Sequence, residues 1–305
     1  MGTTVGVVIP AYNSARWIDA SLGSVATQEL APDRVVVVDD ASTDGTAEIA
    51  RRWAAVLPLE VVRMERNAGA GAARSVAIGG LDTDLVAFLD ADDVWLPHHL
   101  AHLTLLHQRH GGLVCAKCLE LWPDGRLTSR RLSVPATDQL RRLVERNYVF
   151  GGVLFSRADA AAVGGIRSRP LVEDWDLWIR LVAAGAAVTE AEVVTVLYRR
   201  HTDNLTNRQT GVLEAAHALI GELDGMNIGL PRAAVRRSLR SIRGEMALDR
   251  AAELFAQGRS LRARAVALRA LRGRPRLKLG ALAVAVAPSG KAARLARRGP
   301  GIPPN

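Results

Sequence analysis

Three aspartates follow directly on one apolar run and are the first candidates for chemistry. Asp90, Asp92 and Asp93 come after residues 85–89, an uninterrupted run that is typical of a strand buried on both faces. Carboxylates this close together repel one another and raise each other's pKa unless a divalent cation neutralises them. A cation held by a few protein oxygens completes its shell with water and ligand phosphates. The alternative is a helix N-cap before Trp95, although a cap needs one carboxylate and not three.

A second group of acids lies at Glu173, Asp174 and Asp176, where a segment of helical spacing begins at Trp175. The positive end of a helix dipole favours acids in a first turn, and this is enough to account for them. Two tryptophans nearby allow another interpretation, in which Glu173 or Asp174 is a general base beside an aromatic wall. The residues alone leave both interpretations open.

The remaining sequence indicates which elements would position these acids. Short apolar runs alternate with segments of helical spacing, and strands that are joined by helices pair in parallel. The four runs in the first half of the chain lie at residues 5–9, 34–38, 59–63 and 85–89. Since parallel strands end at the same edge of a sheet, their loops are expected to line one crevice.

Polar or small-residue loops follow these strands. Asp39 and Asp40 come after the second strand, and a loop of small residues that ends near Arg74 comes after the third. Arg74 would supply a fixed cation near a bound phosphate. Taken alone, each loop also fits an ordinary turn or helix cap, and Asn13 is expected to cap the helix after the first strand.

The chain changes character after about residue 110. A turn at residues 123–125 separates two strand-like segments, which predicts an antiparallel extension of the sheet, and a closing strand is expected at 193–198. From residue 208 alanine, leucine and arginine dominate, and this pattern predicts short amphipathic helices. The predicted domains are therefore residues 1–207 and a basic helical region at 208–305.

The net charge of +9 is unevenly distributed along the chain. Residues 208–305 hold 19 of the 40 Lys and Arg residues but only 6 of the 31 Asp and Glu residues, so the positive excess belongs to this region. Its arginines predict a solvated helix face, with contact to an anionic membrane or to nucleic acid as alternatives. No aromatic residue is interleaved with Arg236 to Arg243, which argues against binding of single-stranded nucleic acid.

Composition excludes several further classes of protein. Cys115 and Cys118 are too few for a disulfide framework, and their strand-like surroundings favour buried thiols over a zinc or redox site. The first apolar run lacks a basic flank, and residues 279–287, the longest late run, are too short to cross a bilayer. We therefore expect a cytoplasmic protein, with peripheral contact at the inner face of the membrane through the basic region. His98 and His102 are expected on a polar helix face, with a metal-binding pair as the alternative.

Six motifs, in this order, resemble those of the family 2 inverting glycosyltransferases of the GT-A fold. The motifs are Pro10-Ala11-Tyr12-Asn13, Val38-Asp39-Asp40-x-Ser42-x-Asp44-Gly45-Thr46, Asn67-x-Gly69-x-Gly71-x-x-Arg74, Leu89-Asp90-x-Asp92-Asp93, Glu173-Asp174-x-Asp176-Leu177 and Tyr198-Arg199-x-His201-x-x-Asn204. Each is weak alone, and the combination is specific. The resemblance covers about residues 4–206 and leaves the basic region outside.

The resemblance implies an α/β fold with a Rossmann-like, mostly parallel sheet flanked by helices, a small antiparallel extension and a C-terminal helical appendage. It implies a nucleotide-sugar half at about residues 1–110 and an acceptor half at about 111–207. Nucleotide-sugar binding is assigned by it to Pro10, Ala11, Tyr12, Asn13, Asp39, Asp40, Asn67, Gly71, Arg74, Asp90, Ala91 and Asp92.

The resemblance also implies the chemistry. Asp174 matches the catalytic base, which takes the proton from an acceptor hydroxyl. Glu173, Trp175 and Asp176 are expected to contact the acceptor or to support that base. Asp92, Asp93 and His201 would hold Mg²⁺ or Mn²⁺, which neutralises charge on the departing diphosphate.

The implied reaction moves a sugar from a nucleotide-diphosphate sugar, with UDP as the expected nucleotide, to a hydroxyl of a glycan, lipid-linked sugar or small molecule. Its products would be glycans, cell-surface polysaccharides or glycosylated metabolites. The chain has no Gln-x-x-Arg-Trp element of the processive synthases, which favours one transfer per encounter.

Two other interpretations stay open at this level. One is a non-catalytic nucleotide-sugar-binding or scaffold protein, and the other is a nucleotidyltransferase of related fold. A nucleotidyltransferase would typically carry a glycine-rich and basic loop after its first strand, and residues 10–13 do not form such a loop.

Overall fold

The computed structural model describes residues 2–129, 133–202, 204 and 209–270. The chain divides into two compact units, unit 1 at Met1–Asn204 and unit 2 at Leu205–Asn305. Unit 1 contains the sheet, and the described part of unit 2 is helical. The assignment of nucleotide-sugar and acceptor halves within unit 1 stays a prediction.

The first half of unit 1 alternates strands with helices, as the apolar runs predict. Its elements are β1 (Val5–Ala11), α1 (Ile18–Ala26), β2 (Arg34–Asp39), α2 (Thr46–Arg52), β3 (Leu59–Arg63), α3 (Ala70–Gly79) and β4 (Leu85–Phe88). β1 pairs in parallel with β2 and β4, and β2 pairs in parallel with β3. Every residue of β1 and β4 is buried. Both faces of these strands are covered, which explains why their sequences are apolar throughout.

The second half of unit 1 adds shorter strands and further helices. They are β5 (Val94–Trp95), α4 (His99–His110), β6 (Leu113–Leu121), β7 (Leu127–Ser129), α5 (Gln139–Glu145), β8 (Val153–Ser156), α6 (Arg157–Ala162), α7 (Glu173–Ala183) and β9 (Val188–Arg199). The order in the nine-stranded sheet is β3-β2-β1-β4-β8-β6-β9-β5, with β7 paired to β6. β8 is antiparallel to β4 and β6, and β7 is antiparallel to β6, so the predicted antiparallel extension is confirmed.

The sheet register brings the carboxyl ends of three strands together. Ala11 at the end of β1 lies beside Asp39 at the end of β2, and Val8 lies beside Phe88 at the end of β4. The loops that follow these strands therefore begin at one edge of the sheet, as expected for a ligand crevice. The α/β fold with a parallel first half is confirmed.

Both cysteines are buried on β6. A register irregularity between residues 115 and 118 turns Cys115 and Cys118 toward packed surroundings while Lys117 is exposed. Burial raises the pKa of the Cys115 thiol and so keeps it protonated. The interpretation of these residues as buried thiols is confirmed.

Unit 2 contains α8 (Gln209–Gly225), α9 (Arg232–Ala256) and α10 (Ser260–Ala270). Residues 226–231, which contain Gly229 and Pro231, separate α8 from α9. The expectation of short helices is wrong for α9, which runs for 25 residues without an interior proline. In the described part of the chain, no helix combines the length and the apolar character needed to cross a bilayer. The apolar run at residues 279–287 lies outside the described residues.

Candidate active site

The loop after β1 is fastened to the loop after β2. Asn13 has a φ of 48°, and its backbone N–H donates to Ser42 Oγ at 2.9 Å. Its Oδ1 accepts the Thr43 N–H at 2.8 Å. The expectation that Asn13 caps the following helix is wrong, because α1 begins after Trp17 without a side-chain cap. A short amide in the left-handed region bonds across to the neighbouring loop instead.

The other residues of this loop form one wall of the crevice. Pro10 and Ala11 are buried at the end of β1, and Tyr12 is half exposed beyond them. An exposed aromatic ring beside a buried strand end offers a flat apolar surface to a ligand.

Two adjacent aspartates at the end of β2 have different surroundings. Asp39 is fully buried, its Oδ1 accepts the Ser42 N–H, and its Oδ2 has no hydrogen-bond donor and lies 3.5 Å from Arg63 Nε. Asp40 Oδ1 and Oδ2 accept the N–H groups of Ala68 and Gly69, each at 2.7 Å. Asp40 therefore holds the loop that leads into α3, and Asp39 keeps an acceptor oxygen for a further donor.

Arg74 on α3 connects the two acidic groups of the sequence. Its Nη1 lies 2.9 Å from Glu173 Oε1, and its Nη2 lies 2.6 Å from Asp90 Oδ1. Burial lowers the pKa of the Arg74 guanidinium, but the Asp90 and Glu173 carboxylates outweigh this effect and raise it overall. Arg74 is therefore a fixed cation whose donors are largely occupied by protein carboxylates, and the sequence did not predict these partners.

Gly71 explains how α3 comes this close to α7. A Cβ at position 71 would lie 2.7 Å from Glu173 Cγ and 2.8 Å from Glu173 Cβ. The absence of a side chain at Gly71 is therefore a packing requirement. Asn67, which precedes this loop, is exposed.

A serine on α1 holds the loop at residues 90–93. Ser21 Oγ lies 2.8 Å from the Ala91 carbonyl and 2.6 Å from the Asp93 carbonyl. Burial and the neighbouring Asp90 carboxylate raise the pKa of Asp92, and the His201 contact opposes this rise. For Asp93, burial and then Asp92 and Asp90 raise the pKa well above its ordinary value. The sequence-based argument that these crowded carboxylates disfavour one another's ionisation agrees with these directions.

His201, after β9, contacts the same loop. Its Nε2 lies 2.8 Å from Asp92 Oδ2, and its ring stacks on Trp17 with centroids 5.4 Å apart. Asn204 holds this arrangement, because its Oδ1 accepts the His201 N–H and its Nδ2 donates to the Arg199 carbonyl. Arg199 Cζ also lies 4.7 Å from the Trp17 ring centroid, a cation–π distance.

Asp92 and His201 fit a divalent cation better than Asp93 does. Asp92 Oδ2 and His201 Nε2 lie 2.8 Å apart, so a cation that replaces this contact would find a carboxylate and an imidazole at one point. Asp93 is buried, and its Oδ1 accepts the Arg199 N–H at 2.9 Å. Among the described residues, no three His, Cys, Asp or Glu side chains converge as a complete protein cage would require. A cation here would take its remaining ligands from diphosphate and water.

The second acidic group lies in the first turn of α7, which begins at Glu173. Asp174 Oδ1 accepts the Trp175 N–H at 2.6 Å. Burial, and then the Glu173 carboxylate, raise the pKa of Asp174 to about 6, although Arg74 opposes the rise. An acid whose pKa lies near the working pH is suited to general base catalysis.

Trp175 and Asp176 fix the helix that carries Asp174. Trp175 Nε1 donates to the Leu143 carbonyl at 2.8 Å. Asp176 is fully buried and accepts hydrogen bonds from both Arg167 and Arg180. Burial alone would raise the pKa of Asp176, but these arginines outweigh it and lower it. Both residues therefore support the position of Asp174 from within the protein.

Several residues of the site were not assigned a role from the sequence. They are Trp17, Ser21, Arg167, Arg180, Arg199 and Asn204. Arg180 follows Asp176 by one helical turn, and this spacing signals an ion pair. Arg199 and Asn204 flank His201 in its motif, but the sequence gives no sign of their contacts with Asp93 and Asp92.

His98 has a structural partner. Its ring Nε2 donates to the Val194 carbonyl at 3.0 Å. This contact joins the start of α4 to β9 and engages the Nε2 atom of His98 within the protein.

The parallel half-sheet, the antiparallel extension, the aspartates at the sheet edge and the acidic helix start together give the chain a GT-A architecture. Known proteins of this architecture agree. TarS 1–349 of Staphylococcus aureus, solved with UDP-GlcNAc, matches 97% of this chain and 90% of its own with a TM-score of 0.65 and 19% identity. PcManGT, a mannosyltransferase of Pyrobaculum calidifontis solved with GDP-Man and Mn²⁺, matches 97% of this chain and 84% of its own with a TM-score of 0.62 and 19% identity.

Sequence comparison gives the family itself. The profile of Glycosyl transferase family 2 matches residues 6–160, which is half of the chain. The amylovoran biosynthesis glycosyltransferase AmsE of Erwinia amylovora is 27% identical over 210 residues, which are 67% of this chain and 79% of AmsE. The chain therefore belongs to glycosyl transferase family 2 and is a glycosyltransferase, so the resemblance seen in the motifs is confirmed.

Proposed function

We propose that this glycosyltransferase moves a sugar from a UDP-sugar to an acceptor hydroxyl with inversion and with the help of a divalent cation. One observation carries the proposal. Arg74 binds Asp90 beside the cation-binding pair Asp92 and His201, and it also binds Glu173 next to Asp174. A single arginine thus joins the diphosphate side of the crevice to Glu173, and the adjacent Asp174 has its pKa raised to about 6, as suits a general base.

The nucleotide is proposed to bind over the ends of β1 and β2. At these strand ends Asp39 Oδ2 is a buried acceptor oxygen that lacks a hydrogen-bond donor, and uracil offers an imide N–H that would satisfy it. Tyr12 and Asn13 line the same loop, and Asp40 shapes the segment between Ala68 and Gly69. Asp40 supports the proposed pocket through the backbone, since both of its oxygens are already engaged.

The diphosphate is proposed to lie at Asp92 and His201. Mg²⁺ or Mn²⁺ held by these two residues would neutralise charge on the leaving diphosphate. Asp93 contributes by holding the Arg199 N–H, and Arg199 Nε in turn donates to the Asp92 carbonyl at 2.8 Å. This pair of bonds fixes the backbone at Asp92.

Asp174 is proposed to remove the proton from the acceptor hydroxyl as its oxygen attacks the anomeric carbon. The bond to the nucleoside diphosphate breaks on the opposite face, which inverts the configuration. Glu173 is tied to Arg74 at 2.9 Å, so Asp174 is the carboxylate in this turn that stays available for a proton. We also propose that the acceptor is a growing polysaccharide, because the relative AmsE is named for amylovoran biosynthesis. One sugar is proposed to be added per encounter, because the sequence has no Gln-x-x-Arg-Trp element.

Donor and cation are tested together by thermal unfolding with UDP-, GDP- and dTDP-sugars, each with and without Mn²⁺. A UDP-sugar with Mn²⁺ is expected to raise Tm by several degrees, because a ligand at about 100 times its Kd stabilises the folded state by about 2.7 kcal/mol. Asp92→Asn is expected to abolish the Mn²⁺-dependent part of the shift. Equal Tm shifts with and without Mn²⁺ would contradict the assignment of the cation to Asp92 and His201. A larger Tm shift with GDP-sugars than with UDP-sugars would show that the donor nucleotide is GDP and not UDP.

The pH dependence of kcat/KM tests the raised pKa of Asp174. The base must be deprotonated, so kcat/KM is expected to fall about tenfold per unit below pH 6 and to be level above pH 7. If the pKa of Asp174 were that of an unperturbed aspartate, this acidic limb of the pH profile, where kcat/KM falls, would lie near pH 4. Profiles at two saturating Mn²⁺ concentrations serve as the control, because a limb that moves with Mn²⁺ belongs to the cation ligands.

A further inference from the structure

The outer face of α10 exposes leucines to solvent. The inner face packs on α9 through small residues, since Ala263 and Ala267 lie in a cluster with Ala251, Leu254 and Phe255. On the opposite face, Leu261 is 85% exposed and Leu268 is 50% exposed.

These two leucines form a stripe. Residues 261, 265 and 268 are spaced at i, i+4 and i+7 and therefore share one side of the helix. Ala265 between them is also exposed. We call these three residues the leucine stripe.

Two exposed arginine side chains lie next to the leucine stripe. Arg259 and Arg262 are exposed beside it, and neither pairs with a carboxylate among the described residues. Exposed leucines flanked by arginines are typical of a helix that lies in a membrane interface, because the apolar side chains enter the lipid while the guanidinium groups bind headgroups.

The first half of α9 adds a second positive surface. Its buried side includes Ala234, Val235, Ser238 and Ile242, and its exposed side carries Arg232, Arg236, Arg240 and Arg243. None of these four arginines has a carboxylate partner among the described residues. The spacing of four, four and three residues aligns them along one side of the helix, and we call them the arginine stripe.

Several occupants of this surface are disfavoured by charge and chemistry. Residues 271–305 contain eight Lys and Arg residues and no Asp or Glu, so they cannot neutralise the arginines. A second copy of the chain would bring like charges together. Nucleic acid would leave the leucine stripe in water, and no described residue beside the arginines is an aromatic that stacks on bases.

We infer that unit 2 docks on an anionic lipid bilayer through the leucine stripe of α10 and the arginine stripe of α9. The leucines lie in the boundary between headgroups and acyl chains, and the arginines attract anionic headgroups from solution. This inference does not depend on the donor, the cation or the base that we propose for unit 1.

Co-sedimentation of the full chain with vesicles tests the inference. Neutral phosphatidylcholine vesicles are compared with vesicles that contain phosphatidylglycerol, at two salt concentrations. The chain is expected to bind the anionic vesicles at least about tenfold more tightly and to lose most of this binding in high salt. Equal binding to both kinds of vesicle, or no binding to either, would overturn the inference.

Two variants test the contribution of each stripe to vesicle binding separately. Replacement of Arg236, Arg240 and Arg243 by glutamine, which keeps helix propensity, is expected to weaken anionic vesicle binding about a hundredfold, at about fivefold per arginine. The double variant Leu261→Ser and Leu268→Ser is expected to weaken it about tenfold.

The control variants carry comparable changes in unit 1. Arg51, Arg52 and Arg109 are exposed, and their replacement by glutamine removes the same charge elsewhere. Val56→Ser with Leu105→Ser removes two exposed apolar side chains. Circular dichroism verifies that every variant is folded.

The control variants are expected to bind anionic vesicles like the wild type. Controls that lose as much binding as the stripe variants would show that overall charge or hydrophobicity is responsible and would overturn the inference. A dimer in sedimentation velocity that only the leucine variant loses, or a DNA duplex that binds through the arginines while vesicles do not, would also overturn it.

Discussion

Replacing Asp174 by asparagine is expected to lower kcat by about a thousandfold, within the range of 10² to 10⁴ that general base catalysis contributes. Asparagine keeps an oxygen that can accept the Trp175 N–H, so the first turn of α7 is expected to remain in place. It cannot take a proton from the acceptor hydroxyl. The loss should therefore appear in the chemical step, and donor binding should be unchanged.

The stability of this variant is expected to move in the opposite direction. Burial and Glu173 raise the pKa of Asp174 above its unfolded value, so the ionised form is less favourable in the folded protein than in water. At pH 7 this ionised carboxylate reduces the stability of the fold. The neutral asparagine lacks this cost, and Asp174→Asn should have a Tm equal to or above that of the wild type.

Turnover and donor affinity are measured for Asp174→Asn beside the exposed control Asp82→Asn. The control is expected to keep wild-type kcat and Tm. Unchanged turnover in Asp174→Asn would rule out Asp174 as the base. An equal loss in both variants would point to a general effect of charge on the protein.

The sequence predicted the elements and the edge of the sheet on which the site lies. Apolar runs such as residues 5–9 and 85–89 have the length and continuity of buried parallel strands, and each leads into a loop whose polar residues meet at one edge. Neighbouring positions in a motif are also close in space, so the acidic loop at Asp90 and the acidic helix start at Glu173 were recognisable. These inferences need only local periodicity and short connections.

The sequence did not predict which partner each charged side chain selects. Arg74 binds Asp90 and Glu173, which lie 16 and 99 residues away, and its expected position beside a phosphate stays a prediction. Asp93 accepts a backbone N–H from Arg199, 106 residues away, and the sequence indicates no such contact, while its assignment to a cation stays a prediction. Such pairings depend on how α3, α7 and β9 pack together, and side-chain periodicity contains no information on that packing.

The partners of Arg74 give the second large prediction, a double-mutant cycle on the folding stability of unit 1. Arg74→Met is expected to lower the free energy of unfolding by about 3 to 5 kcal/mol, because it leaves Glu173 buried with an uncompensated charge. Glu173 Oε2 already lacks a hydrogen-bond partner, so little else can satisfy the carboxylate. Glu173→Gln removes that charge, and the double variant should recover part of the lost stability.

Tryptophan fluorescence in urea measures unit 1 selectively, because all six tryptophans lie between Trp17 and Trp178. The coupling energy between Arg74 and Glu173 is expected to be about 1 to 3 kcal/mol, as is usual for interacting buried pairs. The exposed pair Arg34 and Glu60, 3.3 Å apart, is the matched control and should couple by less than about 1 kcal/mol. Gly71 lets α3 approach Glu173 closely, and the Glu173 side chain is buried, so an unpaired charge there would be poorly solvated. A coupling energy no larger than that of the control pair would show that Arg74 is solvated after all, and the link between the diphosphate side and Asp174 would then have to lie in other residues.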